Sequence, residues 1–328
     1  MASRSLPILV IFTVFMAGVV SADENLRNLA NKFFGTIPEV MPGGENDTIE
    51  KIELGEKLYF EIALSVNKSQ SCNTCHNILN GGSGTDNLKT SVGALGIIGR
   101  RNSLTTWNAG FQFAQFWDAR ASDLEEQAKF PLLNPNEMAL PSEDIAVQRL
   151  EELGYSSLFQ QAFSEQRSPL NFDNIGIALS AFQRTLITHD RFDDFQNGDD
   201  DALTHQEKDG LQTFVIKGCN ACHNGPLMGG KLLIKMGLVK PYPNKDDKGR
   251  AEVTGNPAHN FLFKVPPLRN VAQTYPYFHD GAGETLEQAV RDTGWHQLGV
   301  RLSEKEIDEI SAFLRALDNT RLMSFKDK

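Results

Sequence analysis

Apolar residues recur at helical spacing over much of the chain beyond residue 22. The clearest stripe is spaced i, i+4, i+7 and i+11 and consists of Ile175, Leu179, Phe182 and Leu186. This spacing places the four side chains on one face of a helix, as in a helix that packs against a core. Strict alternation of apolar and polar residues, which is typical of half-buried strands, is scarce. The pattern therefore predicts an all-α protein.

Capping motifs predict the starts of two further helices. Thr204 and Glu207 have the spacing of a capping box, and Gly218 follows as a stop signal. Ser303 and Glu306 repeat the box before another apolar stripe. We therefore expect one helix to begin after Thr204 and another after Ser303.

The first 22 residues have the pattern of an export signal. Residues 6–20 form an apolar run behind a lone basic residue, Arg4, and small residues stand at −3 and −1 of a cleavage site after Ala22. An uncleaved anchor is the alternative, but about 15 apolar residues are short against the ~20 needed to cross a bilayer. We expect residues 1–22 to be a signal peptide cleaved near Ala22, and the remaining chain to be periplasmic and not bound to a membrane.

The length of 328 residues allows two modest domains. The acidic segment 189–202 is typical of a boundary between two domains. We therefore expect an N-terminal domain over 23–187 and a C-terminal domain over 188–328. The formal net charge of −10 argues against binding of nucleic acid and favours a basic protein partner.

All four cysteines fall into two copies of one motif, Cys72-Asn73-Thr74-Cys75-His76 and Cys219-Asn220-Ala221-Cys222-His223. C-x-x-C-H is the attachment signature of c-type haem. Two thiols three positions apart bond one edge of a porphyrin, and the adjacent imidazole reaches the iron. The sequence thus predicts two c-type haems, one in each half.

Two other uses of these cysteines are open from the residues alone. An oxidising compartment permits two disulfides, and C-x-x-C pairs also bind structural zinc. Disulfides leave the histidine after each pair unexplained. A zinc site is disfavoured because the two pairs stand much farther apart in the chain than the roughly 15–20 residues of a zinc ribbon.

At this point the sequence resembles the bacterial dihaem cytochrome c peroxidases over nearly its whole length beyond the signal. Besides both haem motifs, the resemblance is carried by Leu54-Gly55-Glu56-Lys57-Leu58-Tyr59-Phe60, Arg101-Asn102-Ser103, Ala114-Gln115-Phe116-Trp117-Asp118, Pro266-Pro267-Leu268-Arg269-Asn270, Pro276-Tyr277-Phe278-His279-Asp280-Gly281 and Gln297-Leu298-Gly299. It implies two cytochrome c-like helical domains. It also implies reduction of hydrogen peroxide with electrons from a small cytochrome c or a cupredoxin.

The resemblance assigns roles to individual residues. The haem on His76 is expected to be the peroxide site, with Glu137 as the distal acid and Gln127 as the distal amide. The haem on His223 is expected to receive electrons, and Trp117 to lie between the two haems. The resemblance further implies a homodimer, and a calcium ion bound by Asn102 and by the backbone carbonyls of Thr274 and Pro276.

The sequence departs from the family pattern at two places. Ala94 stands where most members have a histidine. In those members the histidine occupies the sixth coordination position of the peroxide-site iron until the other haem is reduced. Because alanine cannot bind iron, we expect activity without reductive activation. Thr293 stands where the family usually has a distal methionine at the second haem. His296, Met236, Met228, water, hydroxide or Thr293 itself remain as candidates for that position.

Three functional interpretations follow, and the first is a periplasmic dihaem peroxidase. The second is a protein-modifying oxidase of the quinone-cofactor maturation type, although the relative that performs this reaction has a tyrosine at the place of Thr293. The third is an electron carrier or haem sensor. A carrier has no need of the distal pair Glu137 and Gln127, because it moves no protons to a bound oxidant.

Overall fold

The computed structural model of the protein describes residues 21–79 and 82–320. Most of the predicted signal peptide lies outside these residues. Within the described ranges the chain forms twelve α-helices and one two-stranded sheet. None of the described helices combines the length and apolar character needed to span a membrane. The prediction of a mainly helical protein is confirmed.

The α-helices are, in chain order, α1 (Ala22–Phe33), α2 (Ile49–Tyr59), α3 (Cys72–Cys75), α4 (Leu124–Leu133), α5 (Glu143–Glu152), α6 (Ser156–Ala162), α7 (Phe172–Gln183), α8 (Arg191–Gln196), α9 (His205–Ile216), α10 (Ala251–Thr254), α11 (Leu286–Thr293) and α12 (Glu304–Arg315). The strands β1 (Leu233–Lys235) and β2 (Leu262–Lys264) pair antiparallel, with Ile234 opposite Phe263.

The predicted helix stripe is confirmed as α7. Asn171 caps this helix by accepting a hydrogen bond from the backbone N–H of Asn174. Ile175, Leu179 and Phe182 are buried in the helix, and Leu186 is buried in the turn that follows it. The spacing of apolar residues therefore reported the buried face correctly.

Both predicted capping boxes are present. The backbone N–H of Thr204 donates to the Glu207 carboxylate at 2.7 Å, and the backbone N–H of Glu207 donates to the Thr204 hydroxyl at 3.3 Å. Ser303 and Glu306 make the same reciprocal pair at the start of α12. These local contacts fix where α9 and α12 begin.

The first hydrophobic core is built around the crossing of α2 and α7. A Cβ atom at Gly55 would lie 1.8 Å from the carbonyl oxygen of Ala178 and 2.9 Å from Cβ of Phe182. Only glycine permits this approach of the two backbones. Helix α4 also packs on α7, and this contact brings residues 124–133 towards the first cysteine motif.

The second hydrophobic core repeats that arrangement with α9 and α12. A Cβ atom at Gly210 would lie 2.0 Å from the carbonyl oxygen of Glu309 and 2.9 Å from Cβ of Phe313. In both halves, a helix that precedes the cysteine motif thus uses a glycine to touch the backbone of a later helix. The structural repeat is clearer than the repeat in the sequence.

Two chain segments add to the second core. Phe192 and Phe195 of α8, which lies inside the acidic segment 189–202, are fully buried there. Ala30 of α1 and the following Phe34 are buried in the same core. The division at residue 187 remains a prediction, and it leaves out this return of α1 to the C-terminal half. A short amphipathic helix carries no local signal for which core will cover it.

Candidate functional site

The first C-x-x-C-H motif folds into a single helical turn. The backbone N–H of His76 donates to the carbonyl oxygen of Cys72 at 2.9 Å. The Cys72 and Cys75 side chains, three positions apart, therefore lie on one face of the turn. Both are free thiols. Burial raises the pKa of Cys72 to about 12 and that of Cys75 to about 11, so both thiols are protonated at neutral pH.

His76 is poised as a neutral ligand. Burial lowers the pKa of its imidazole, which favours the uncharged form that binds metals. Its buried Nδ1 atom has no hydrogen-bond partner within the described residues. The phenol of Tyr59 donates to the His76 carbonyl oxygen at 2.6 Å and fixes the end of the turn.

A cavity of about 550 Å³ opens beside this turn. It brings together the five residues of the predicted first site, Cys72, Cys75, His76, Gln127 and Glu137, and it is also lined by Trp117 and by the predicted calcium ligand Asn102. Its volume lies in the range of roughly 300–1,000 Å³ that is usual for cofactor sites. Two thiols and an incompletely bonded, neutral imidazole on its wall fit a covalently attached haem, which Cys72, Cys75 and His76 would hold.

Glu137 and Gln127 line the same cavity from separate elements. Gln127 lies on α4, and Glu137 follows that helix in a loop. The side-chain amide of Asn134 donates to Glu137 Oε1 at 2.9 Å. Burial raises the pKa of the Glu137 carboxyl, and the nearby charge of Arg120 and the Asn134 bond partly oppose this effect.

The loop 91–99, which carries Ala94, folds back on itself beside the cavity. Its backbone closes through Gly93 N–H to the Ile97 carbonyl and Gly99 N–H to the Ser91 carbonyl, both at 2.8 Å. The loop is also attached to the distal segment, because the Ala94 N–H donates to the carbonyl oxygen of Glu137 at 2.7 Å. Ser91, Val92, Gly93 and Gly99 line the cavity.

The side chains of Asn67 and Gln70 hold the outer part of this loop. The Asn67 amide donates to the carbonyl oxygen of Ala94, and the Gln70 amide donates to that of Val92, each at 2.7 Å. Together with the bond from the Gly96 N–H to the Gly93 carbonyl oxygen, five hydrogen bonds thus involve Val92, Gly93 or Ala94. The loop is held in this position without a histidine at residue 94.

Trp117 is buried between the cavity and the C-terminal half. Its indole N–H donates to the carbonyl oxygen of Asn102 at 2.8 Å, and its ring meets that of His279 edge-on with centroids 6.4 Å apart. The carbonyl oxygen of Trp117 accepts a hydrogen bond from the backbone N–H of Lys264, at the end of β2. These contacts fix the indole at the junction of residues distant in the chain.

Sequence reasoning did not single out the charged residues around Trp117. Arg101 pairs through two bonds with Asp247, at 2.6 and 2.8 Å, and through one bond with Asp118 at 2.5 Å. Arg120 also pairs with Asp118, and its guanidinium lies 3.4 Å from the centroid of the Phe116 ring. Arg101 and Asp118 stand inside quoted family motifs, but only the fold shows that they meet.

The second motif forms a similar turn. The backbone N–H of His223 donates to the carbonyl oxygen of Cys219 at 3.0 Å, after Gly218 in a left-handed conformation. The Nδ1 atom of His223 donates to the Met228 carbonyl oxygen at 2.9 Å, which leaves Nε2 as the free nitrogen. Burial lowers the pKa of His223 and raises the pKa of Cys219 to about 11. This arrangement also fits an attached haem.

The alternative uses of the cysteines find no support in the geometry. All four are free thiols, so the structure gives no support to the disulfide alternative. Cys72 packs against the first core and Cys219 against the second, so the two pairs do not converge on one ion. The described part of the chain holds no cluster of three or more His, Cys, Asp or Glu side chains placed to bind a metal.

The candidate distal ligands of the second haem lie in different surroundings. Thr293 ends α11, and His296 follows in a π-helical turn (Gly294–Leu298), where its Nδ1 donates to the Lys240 carbonyl oxygen at 3.1 Å. The backbone N–H of Met236 donates to the Phe261 carbonyl oxygen. Met228 is buried in the second core and its own carbonyl holds His223, which makes it the weakest candidate.

The three predicted calcium ligands are Asn102, Thr274 and Pro276. The side-chain amide of Asn102 donates to the carbonyl oxygen of Leu88 at 3.0 Å. The amide of Asn87 donates to the carbonyl oxygen of Tyr275, between the other two predicted ligands, at 2.8 Å. Segment 87–89 therefore lies between Asn102 and the Thr274–Pro276 turn, and the calcium site stays a prediction.

Comparison with known proteins agrees with this geometry. A family model described as di-haem cytochrome c peroxidase matches residues 49–201. The cytochrome c551 peroxidase of Pseudomonas aeruginosa is 42% identical over 325 residues, which cover 96% of this chain and 92% of the relative. The cytochrome c551 peroxidase of Nitrosomonas europaea is 41% identical over 304 residues, which cover 92% of this chain and 86% of the relative.

A similar crystal structure is that of a MauG-like protein associated with microbial copper homeostasis. It superimposes with a TM-score of 0.76 at 27% identity and covers 87% of this chain and 94% of its own. The chain is more similar in sequence to the two peroxidases than to the MauG-like protein. The chain belongs to the di-haem cytochrome c peroxidase family.

Proposed function

We propose that this protein reduces hydrogen peroxide to two molecules of water at the His76 site, using two protons and two electrons. The electrons come from a small cytochrome c or a cupredoxin and pass through the His223 half. The observation that carries the proposal is the cavity that a half-buried carboxyl, Glu137, and an amide, Gln127, line together with the first haem motif.

The chain's own residues have distinct parts in this reaction. A haem held by Cys72, Cys75 and His76 would supply an iron for peroxide to bind. Glu137 moves a proton from the near to the far oxygen as the O–O bond breaks, since a carboxylate accepts and returns protons. Gln127 donates a hydrogen bond to the bound oxidant. Trp117, held by the Asn102 carbonyl, passes electrons between the two halves.

The loop 91–99 keeps the peroxide site accessible in the fully oxidised protein. It carries no ligand at Ala94, and its hydrogen bonds to Glu137, Asn67 and Gln70 hold it in place. We therefore propose that peroxide reacts without prior reduction of the second haem. Cys219, Cys222 and His223 would hold the second haem, which would supply the point at which electrons from the donor enter. His296, Met236 and Thr293 are this chain's candidates for a further ligand, with water and hydroxide as the alternatives.

The experiment is stopped-flow mixing of the fully oxidised holoprotein with peroxide. Wild type should react at once, and Glu137→Gln should react about 100-fold more slowly, within the range for loss of a general acid–base group. Glu151→Gln, at an exposed carboxylate, is the matched control. Reaction only after pre-reduction would contradict the open site, and an unchanged rate in Glu137→Gln would contradict the role of Glu137.

The pH profile gives a second measure of the same residue. Because burial raises the pKa of Glu137, its proton-accepting carboxylate form is lost at a higher pH than for an exposed glutamate. The rate of the peroxide reaction should fall as pH decreases through that raised pKa. The acid limb of the profile should disappear in Glu137→Gln, and an acid limb retained by the variant would assign it to another group.

The donor is proposed from charge. The net charge of −10 favours a basic donor, and an electrostatic encounter weakens as salt screens the charges.

We further propose periplasmic location after removal of residues 1–22, a homodimer, and one calcium ion at Asn102, Thr274 and Pro276. Oxidation of a partner protein's side chains is the second candidate function, and the likeness to a MauG-like structure is the observation in its favour. The absence of a histidine at residue 94 fits both functions, and the absence of a tyrosine at the place of Thr293 argues against the second.

A further inference from the structure

A row of aromatic rings leads away from the cavity on the side of Trp117. The His279 ring lies 6.4 Å from the Trp117 ring and 5.6 Å from the Tyr242 ring, measured between centroids. The Tyr242 ring meets the His296 ring at 5.3 Å. Each step is within the distance at which aromatic rings touch. The row connects the peroxide cavity to the turn that carries His296.

Tyr242 differs from its neighbours because a proton acceptor is bonded to it. Its phenol donates to Asp280 Oδ1 at 2.9 Å, and Asn244 donates to Oδ2 of the same carboxylate at 2.9 Å. The carboxylate is thus held with one oxygen on the phenol. A tyrosine in this arrangement loses an electron as its proton moves to the carboxylate, and the product is a neutral radical.

Three other oxidisable side chains, those of Tyr59, Trp295 and Tyr155, lack this combination. The Tyr59 phenol donates to a peptide carbonyl, which cannot accept a proton at neutral pH. Lys240 and Arg301 lie 5.3 and 5.1 Å from the Trp295 ring, and their positive charges oppose the loss of an electron from it. Tyr155 donates to Glu61, but it packs against the first core and outside the row.

We propose that Tyr242 is a redox relay of this protein, an inference that rests on the proposed peroxide chemistry at the His76 site. When peroxide has accepted two electrons there and no donor is bound, Tyr242 gives one electron to the oxidised site through His279 and Trp117. Its O–H bond breaks and the proton passes to Asp280. One electron from the donor protein and the proton from Asp280 later restore the phenol.

The test uses the oxidised holoprotein mixed with one equivalent of peroxide and no donor, followed by rapid freezing and electron paramagnetic resonance. Protein that contains ring-deuterated tyrosine identifies a tyrosyl radical by the narrowing of its hyperfine splitting. Tyr242→Phe should lose this deuterium-sensitive signal. Tyr155→Phe, which removes the other phenol bonded to a carboxylate, should keep it.

A second variant tests the proton acceptor without removing the ring. Asp280→Asn retains a side chain of the same shape that cannot take up the proton, so the radical should form more slowly and in smaller yield. The control is Glu61→Gln, which makes the same acid-to-amide change at the carboxylate bonded to Tyr155 and keeps the side-chain length. Haem absorbance recorded with each variant shows whether the haem sites are intact.

The outcomes separate the relay from the proposed function. Failure of the wild-type holoprotein to consume peroxide would overturn the proposed function and the relay with it. Normal consumption of peroxide, with the tyrosyl signal unchanged in Tyr242→Phe or lost only in Tyr59→Phe, would overturn the relay alone. Loss of the signal in Tyr242→Phe with normal peroxide consumption supports both.

Discussion

At the scale of single residues, the environment rather than the residue type decides the chemistry. Glu137 is half-buried beside the first haem motif, and its pKa is raised because its charged form is poorly solvated. Glu151 is an exposed glutamate on α5. The difference between the proposed catalytic acid and a surface carboxylate is therefore one of position.

Gly93 positions the loop 91–99 against the distal segment. A Cβ atom at this residue would lie 2.2 Å from the carbonyl oxygen of Asn136 and 3.0 Å from the backbone nitrogen of Glu137. Since both contacts are with backbone, Gly93→Ala must move the loop or Glu137. We expect the peroxide reaction to slow about 10- to 100-fold, because small displacements of catalytic groups have effects of this size.

The control for this prediction is Gly96→Ala at the tip of the same loop. A Cβ atom there meets nothing within 4 Å, although the positive φ of 77° adds some strain. Stopped-flow rates and haem content should be measured for both variants. Equal rates for Gly93→Ala and Gly96→Ala would show that the contact with residues 136–137 does not position Glu137.

At the scale of elements, each half depends on one close crossing of two helices. The pairs α2 with α7 and α9 with α12 both place a glycine of the first helix on the backbone of the second. These crossings also fix the position of the helix that precedes each cysteine motif. The two halves thus share a close, glycine-dependent helix crossing as well as a sequence motif.

Gly210→Ala should destabilise the second of these crossings. Its Cβ would lie 2.0 Å from the Glu309 carbonyl oxygen, so α9 and α12 must separate. We expect the free energy of unfolding to fall by about 2–3 kcal/mol, as for other overpacked cores. Gln212→Ala, on the exposed side of the same helix, should change it little. Denaturant unfolding followed by circular dichroism measures both, and equal midpoints would contradict the prediction.

At the scale of the whole molecule, buried charges join segments that are distant in the chain. Arg269 has no exposed side-chain surface, and it pairs with Asp190 at 2.6 Å and Asp193 at 3.1 Å. Its Nε also donates to the Pro226 carbonyl oxygen, in the loop after the second haem motif. One side chain thus connects α8, this loop and the segment before α11.

Arg269→Met should lower the free energy of unfolding by about 3–5 kcal/mol, because it leaves two buried carboxylates without their partner. Arg291→Met removes an exposed arginine that pairs with Glu304, and it should cost at most about 1 kcal/mol. Thermal or denaturant unfolding of both variants is the measurement. A cost below that of Arg291→Met would show that the buried pair contributes no net stability.

The sequence alone determined the features that depend on near neighbours in the chain. The stripe of α7, the capping boxes of α9 and α12 and the two cysteine turns all rest on contacts between residues three or four positions apart. Such contacts leave a fixed spacing in the sequence. The family motifs added the candidate residues of the first cavity, and they carried no geometry.

Only the tertiary structure decided which distant residues meet. It placed Glu137 and Gln127 in the cavity of His76, returned α1 to the second core, and bonded Tyr242 to Asp280. These contacts have no characteristic spacing in the chain, because they arise from the packing of elements whose relative positions the whole core determines. The charge and proton chemistry of this protein depends on them, since burial and bonded partners set how each group behaves.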